Sequence, residues 1–254
     1  MSFTVIIPAR LASTRLPNKP LADIDGKPMI VRVAEQAKKS GATRVICAVD
    51  DEKILDACSE HGIEACLTRK DHVCGTDRLC EAATLCRIAD DEIIVNVQGD
   101  EPLIPPHVIS EVAKLLADRS DCQMGTAAIR IHEASEFFNP NVVKLVTDKN
   151  STALYFSRAP LPWARDEFAK DKTHLPKGLG LRHVGIYSYR CAFLKAYPTL
   201  PKSDLEKFES LEQLRALYNG YKIAAAVFEE EIPAGVDTQQ DLEAVRAYLK
   251  RQPS

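Results

Sequence analysis

The residues best equipped for chemistry come early. Pro8-Ala9-Arg10-Leu11-Ala12-Ser13-Thr14-Arg15-Leu16-Pro17-Asn18-Lys19-Pro20-Leu21 follows an apolar run and carries three cations (Arg10, Arg15, Lys19), two hydroxyls and three prolines. Guanidinium forks, an ammonium point charge and the N–H groups of a turn are what neutralise a polyphosphate as its charge shifts during reaction. The segment is neither a Walker A loop nor G-x-G-x-x-G, so neither of those phosphate motifs accounts for it. A solvated connecting loop is the competing reading, because loops are the usual home of charge.

Three further groups stand where ligands bind in open α/β sheets, beyond the carboxyl ends of strands. Val95-Asn96-Val97-Gln98-Gly99-Asp100-Glu101-Pro102 places Asp100 just past an apolar strand, with Gly99 permitting close backbone approach. Magnesium takes one or two protein carboxylates and fills its remaining positions with water and phosphate oxygens, so Asp100 needs a single partner. Gly235-Val236-Asp237 supplies one, although Asp237 also precedes Thr238 and suits a helix start equally well. Cys74-Gly75-Thr76-Asp77-Arg78 opens a helix; taken alone it favours ordinary capping by Thr76, with Arg78 available to a base edge or an anion. Arg158, Arg182-His183-Val184-Gly185-Ile186-Tyr187 and Glu212-Gln213 complete the set. For Arg158 and His183 singly, structural pairing is the simpler role. Glu212, four residues after Phe208 and seven after Leu205, falls at the edge of an apolar helical stripe.

The elements that must position these groups follow from periodicity. Phe3 to Ile7, Arg44 to Val49, Ile63 to Thr68 and Glu92 to Val97 read as strands, alternating with helices over Pro28 to Ser40, Asp51 to His61 and Thr76 to Arg87. The alternation predicts an α/β fold, a doubly wound, mainly parallel sheet with helices on both faces. After a helix over Pro106 to Arg119 the texture turns strand-rich: Met124 to Ile131, Val142 to Thr147, Ala153 to Phe156 and His183 to Arg190, with an irregular excursion over Pro160 to Gly180. This is expected to be a smaller lobe, residues 121–204, inserted into an α/β domain of residues 1–120 and 205–254. Glu206 to Asn219 then reads as one helix, Lys222 to Phe228 as a strand, and Thr238 to Lys250 as a last helix with Thr238 and Asp241 spaced as a capping box.

Composition excludes several classes. The 254 residues carry 33 basic and 36 acidic side chains, a net charge of −3, with no overall basic field for nucleic acid. No apolar run reaches the ~18 residues of a membrane span or has the flanks of a signal peptide, so no membrane partner and a cytoplasmic location are expected. Cys47, Cys58, Cys66, Cys80 and Cys86 of the eight cysteines sit among apolar neighbours and read as reduced, mostly buried thiols. With no C-x-x-C pair and no H-x(3-5)-H spacing, any metal is expected to be oxygen-bound.

Taken in order, Ile-Pro-Ala-Arg, Ser-Thr-Arg-Leu-Pro-Asn-Lys-Pro-Leu, Gly26-Lys27-Pro28-Met29, Gly75-Thr76-Asp77-Arg78, Asn96 to Pro102, Leu154-Tyr155-Phe156-Ser157-Arg158-Ala159, Arg182 to Tyr187, Ser210-Leu211-Glu212-Gln213-Leu214-Arg215 and Gly235-Val236-Asp237-Thr238 resemble the 3-deoxy-manno-octulosonate (KDO) cytidylyltransferases along nearly the whole chain. The opening loop alone is shared with sialic-acid cytidylyltransferases and more distant sugar nucleotidyltransferases; the later motifs are more specific. The resemblance implies transfer of CMP from CTP to the anomeric hydroxyl of an acidic eight-carbon sugar, with pyrophosphate leaving, in a homodimer, for lipopolysaccharide biosynthesis. It implies that Arg10, Arg15 and Lys19 hold the triphosphate, that Gly75 and Arg78 recognise cytosine, and that Asp100 and Asp237 bind Mg2+. Arg10, Lys19, Asp100 and Asp237 would be catalytic. Gln98, Arg158, His183, Tyr187, Glu212 and Gln213 would line the sugar site. Magnesium would neutralise phosphate charge, and a second ion on the same carboxylates would lower the pKa of the sugar hydroxyl.

Two positions depart from the family pattern. Asn18 stands where glycine is common, and asparagine tolerates the left-handed backbone that such a turn needs. Asp204 stands where proline is common and bears on acceptor selectivity. The alternatives are a cytidylyltransferase for sialic acid or an amino-substituted octulosonate, and a catalytically silent nucleotide-binding or scaffolding homologue.

Overall fold

The computed structural model describes residues 1–72 and 74–251, so the last three positions of the 205–254 segment lie outside it. The N-terminal half alternates β1 (Phe3–Ala9), a two-stranded ribbon of β2 (Asp23–Ile24) and β3 (Lys27–Pro28), α1 (Met29–Lys38), β4 (Arg44–Val49), α2 (Glu52–Glu60), β5 (Glu64–Leu67), α3 (Gly75–Leu85), β6 (Ile93–Asn96) and α4 (Pro106–Asp118). There follow β7 (Met124–Arg130), α5 (Ala134–Phe137), β8 (Lys144–Thr147), β9 (Ala153–Ser157), α6 (Arg165–Phe168) and β10 (Leu181–Arg190). The chain ends with α7 (Cys191–Ala196), α8 (Asp204–Glu209), α9 (Leu214–Tyr218), β11 (Ile223–Phe228) and α10 (Gln239–Arg251).

Among the described residues nine strands form one sheet in the order β11-β7-β10-β6-β1-β4-β5, with β8 joined to β10 and β9 to β8. β6, β1, β4 and β5 run parallel, as do β11 and β7; β10 enters between β6 and β7 antiparallel to both. The expected mainly parallel α/β sheet is therefore present. Two strands of the 121–204 segment, β7 and β10, lie inside it, and β8, β9 and the short helices project from the end of β10.

The alternation of strand side chains divides the core. Phe3, Val5 and Ile7 of β1 pack with Ile30 and Val33 of α1, Ile54 of α2 and Val108 and Val112 of α4. Ile6 on the opposite face joins Leu79 and Ala82 of α3, Leu194 of α7 and Leu214 of α9. Burial on both faces explains why these strands read as continuous apolar runs. The irregular 160–180 excursion is held by a small cluster of Ile131, Phe137 and Phe168, against which Phe138, Leu175 and Leu179 pack.

The single helix expected over Glu206 to Asn219 is instead two. Ser210, at φ 51°, turns the chain left-handed after α8, and the Leu211 N–H donates back to the Glu206 carbonyl at 3.2 Å. Buried Arg215 of α9 reaches back in a two-pronged ion pair to Glu206, and its guanidinium lies 4.8 Å from the Tyr197 ring centre. That tertiary pair has no local signature. The break also corrects the apolar-stripe reading: Phe208 is 86% exposed.

Candidate active site

β1 is flanked by β4 and β6, so the chain leaves β1 in one direction across the sheet and later returns on the other side. The carboxyl ends of β1 and β6 border the resulting crevice. A cavity of about 410 Å³ opens there, lined by the loop after β1, the start of α3, the turn after β6, and Asp237. A second cavity of about 300 Å³ lies toward β10 and α9, and the two share Gly75, Gln98 and Glu212.

The opening loop lines the first cavity with Arg10, Ser13, Thr14, Arg15 and Lys19. Asn18 takes the left-handed conformation (φ 54°, ψ 32°) expected of it, and its carbonyl accepts from the Leu21 N–H at 2.8 Å to start a short 3-10 turn. Arg10 is exposed and forms no hydrogen bond or ion pair among the described residues. Lys19 lies between two carboxylates, Asp100 Oδ2 at 2.6 Å and Asp237 Oδ1 at 3.1 Å, while Arg15 reaches Asp237 Oδ2 at 3.1 Å. Burial opposes the charge on Lys19, but hydrogen bonds and attraction from Asp100 and then Asp237 outweigh it and raise its pKa.

Backbone packing places the two aspartates together across 137 positions of sequence. The Val236 N–H donates to the Asp100 carbonyl at 2.7 Å, and a side chain at Gly235 would press on Asp100. Gly99 sits so close to the end of β1 that a Cβ there would lie 2.7 Å from the Pro8 carbonyl oxygen. The helix-start alternative for Asp237 falls away, because Thr238 and Asp241 cap α10 reciprocally, Asp241 N to Thr238 Oγ1 at 3.2 Å and Thr238 N to Asp241 Oδ2 at 2.8 Å. The Asp237 carboxylate is left facing the cavity. Two carboxylates converging on one cation form a hard-oxygen donor set of the kind magnesium uses alongside phosphate oxygens. Among the described residues no cluster of three or more His, Cys, Asp or Glu side chains is placed for a metal, so phosphate and water would complete the shell.

Arg78 is buried, donating to Thr68 Oγ1 at 2.6 Å and pairing with Asp50 at 3.4 Å; burial lowers its pKa, and Arg10 adds repulsion. Asp50 also accepts from the Leu11 N–H at 2.8 Å, tying the opening loop to α3. Sequence reasoning missed it, although an acid directly after β4 obeys the rule that exposed Asp100. His72, which lines the same cavity and bonds to Glu81, and Glu101 were missed too. Burial, then the Asp100 charge, pushes Glu101 up to about 8. No periodic pattern marks either residue.

The expected capping by Thr76 is overturned. α3 begins behind Cys74 with no side-chain cap, and the buried Thr76 hydroxyl donates instead to Glu212 Oε2 at 2.7 Å. This bond joins the start of α3, which lines the first cavity, to the second. Gln98, Tyr187, Glu212 and Gln213 line that cavity, whereas Arg158 and His183 lie off its wall. Arg158 donates to the Glu209 carbonyl at 2.6 Å and the Pro140 carbonyl at 3.1 Å, locking the end of β9 to α8. His183 shares a hydrogen bond of 3.0 Å with Thr126 and packs edge-on to Phe156; loss of hydration pushes its imidazole down to about 3, so it is neutral at ordinary pH. Tyr187, beside a bulge in β10, stays protonated because burial raises its phenol well above the usual value. Asp204 starts α8 behind Ser203, whose hydroxyl accepts from the Glu206 N–H at 3.1 Å.

Residues 4–223 match the cytidylyltransferase family. Among curated proteins the chain is 56% identical to the 3-deoxy-manno-octulosonate cytidylyltransferases of Acidovorax sp. (strain JS42) and Acidovorax ebreus (strain TPSY), over 97% of this chain and of each relative. Among solved structures it superposes on a CMP:2-keto-3-deoxy-manno-octonic acid synthetase complexed with CTP, with a TM-score of 0.89 and 40% identity over 98% of both chains. A cytidylyltransferase from Leptospira borgpetersenii, 16% identical with a TM-score of 0.62 over 100% of this chain and 88% of its own, shares the fold alone. With the motif order, the sheet and the cation-lined crevice all in agreement, this chain belongs to the cytidylyltransferase family.

Proposed function

We propose that the protein transfers CMP from CTP to the anomeric hydroxyl of 3-deoxy-D-manno-octulosonate, releasing pyrophosphate and forming CMP-KDO for lipopolysaccharide biosynthesis. The observation that carries this reading is the pair of adjoining cavities, one lined by Arg10, Arg15 and Lys19 and the other by polar and phenolic groups, meeting at Gly75, Gln98 and Glu212. A triphosphate in the first and a polyhydroxy acid in the second would meet at that junction, where the anomeric oxygen bonds to the α-phosphorus as the bond to the β-phosphate oxygen breaks.

In this reading Arg10, Arg15 and Lys19 hold the triphosphate and take up the charge that accumulates on pyrophosphate. Arg78, fixed by Asp50 and Thr68, and Gly75 border the base. Thr76 and Glu212 keep the two substrates in register through their hydrogen bond. Asp100 and Asp237 would hold Mg2+, which supplies phosphate neutralisation and polarises the attacking hydroxyl when bound. Lys19, shared by both carboxylates, keeps them together without other ligands.

A homodimer fits the large apolar side chains left in solvent, Phe208 of α8 (86% exposed) and Leu154 of β9 (60%), on two elements that Glu209 joins through Ser157 and Arg158. Light scattering at the mass of one chain would count against it. In this reading the reaction draws on cytoplasmic CTP; separately, no described helix is long and apolar enough to cross a membrane.

The test offers CTP and magnesium with KDO, amino-substituted KDO and sialic acid in turn, and measures pyrophosphate. Release with sialic acid alone would overturn the octulosonate reading. Thermal stabilisation by CTP without turnover of any sugar would indicate a silent homologue.

A further inference from the structure

Asn96 closes β6 in the middle of the sheet, its backbone paired with Ile6 of β1 and Tyr187 of β10. Strand alternation places its side chain on the same face as Ile94, which is packed in the apolar cluster of α3, α7 and α9. Polar residues on such a face normally find a partner, because an amide taken from water without one is costly. Asn96 is 3% exposed, and its Oδ1 accepts no hydrogen bond among the described residues. Gln213, 6% exposed, likewise has an Nε2 without a partner among the same residues. Both line the second cavity.

Two buried amides with unused hydrogen-bonding capacity, lining one cavity from different parts of the fold, suit a ligand rich in hydroxyls, since each hydroxyl both donates and accepts. We propose that Asn96 is a specificity-determining residue for the sugar acceptor, its side-chain amide bonding one hydroxyl of the polyhydroxy acid in the cavity it shares with Gln213. The proposal rests on the octulosonate reading above. Asn96 lies four residues before Asp100 on the same strand and turn, so a hydroxyl held by it is registered against the carboxylates of the first cavity. The position is fixed by the sheet rather than by a mobile loop.

The experiment uses Asn96→Leu, which keeps nearly the same size and removes the amide, with Asn96→Ala as the second variant should leucine disturb folding. Melting temperature, KM for CTP, KM for KDO, and calorimetric binding of KDO to the CTP-loaded protein are measured for each. The expected result is a roughly 10- to 100-fold rise in KM and in Kd for KDO, an unchanged KM for CTP, and a melting temperature no lower than that of the parent for Asn96→Leu. A purely structural asparagine would show the reverse, a fall in melting temperature with acceptor affinity intact. On KDO analogues each lacking one hydroxyl, the parent should lose the same factor on one analogue, and on that analogue the variant should lose nothing more. If the parent turns over KDO and acceptor KM in both variants stays within about twofold of it, or no analogue abolishes the difference, Asn96 has no such role. If the parent does not turn over KDO, the octulosonate reading itself fails and the inference with it.

Discussion

Gly99 joins β6 to the aspartate turn, and replacing it by alanine would place a methyl group 2.7 Å from the Pro8 carbonyl oxygen and 3.3 Å from the Ala9 Cβ. Neither neighbour is free to yield, because Pro8 and Ala9 sit in the parallel ladder opposite Ala48 and Val49. Relief requires the turn and the end of β1 to separate by a few tenths of an ångström. Overpacking of this kind costs about 1–3 kcal/mol. For a chain of this length each kcal/mol lowers the melting temperature by about 2–4 °C, so Gly99→Ala should melt roughly 2–12 °C below the parent. The same movement parts the cationic loop after β1 from Asp100, and kcat should fall by on the order of 10-fold or more, since a shift near 1 Å costs about 100-fold. Gly75→Ala is the contrasting control. A Cβ there meets nothing within 4 Å and points to open space where the two cavities join, so stability should hold while KM for CTP rises. Thermal melts without ligand and steady-state pyrophosphate release read both effects. A Gly99→Ala protein that melts within about 1 °C of the parent and retains full turnover would refute the close-approach argument, and so would identical behaviour of the two variants.

Three further outcomes follow from the same geometry. Asp100→Asn and Asp237→Asn should each cut kcat by on the order of 100-fold with little change in calorimetric CTP affinity; near-normal turnover in both would remove the case for a shared cation site. At Asn18 (φ 54°) alanine keeps a β-carbon in the left-handed region but lacks the short polar side chain that makes it tolerable, whereas Asn18→Gly removes the β-carbon and its cost of about 1–2 kcal/mol, so urea unfolding should rank Gly above Ala, and equal midpoints would count against strain at this turn. The His183 imidazole is held near 3 in the folded protein against 6.5 when unfolded, so below pH 6.5 the unfolded chain takes up the proton first and stability is lost until about pH 3. His183→Gln should flatten that part of the pH–stability curve, and an unchanged slope between pH 6 and about 4 would show that the ring is not desolvated as described.

Much of the framework was readable without coordinates, for identifiable reasons. The strands around β1 are buried on both faces, so their composition alone marked them, and Gly99 and Asp100 stood out because ligands gather where such strands end. The Thr238 and Asp241 capping box was equally local. The break at Ser210 was not, because it is held by Glu206 and Arg215, nine positions apart on two different helices, and by Tyr197 beside the guanidinium. Thr76 likewise had a valid local role in a cap, and a residue 136 positions away took its hydroxyl instead.

The sequence by itself determined the alternating architecture, the cationic loop and the family, because apolar periodicity, turn chemistry and short motifs are properties of neighbouring residues. Only the tertiary structure decided that Asp237 faces Lys19 rather than capping a helix, that Arg78 is held by Asp50, that Arg158 and His183 lie off the wall of the second cavity, and that Asn96 and Gln213 share it. Each of these depends on which strand ends and helix starts are brought to one edge of the sheet. Hydrogen bonding and burial settle that across separations of tens to hundreds of residues, and no local pattern records it.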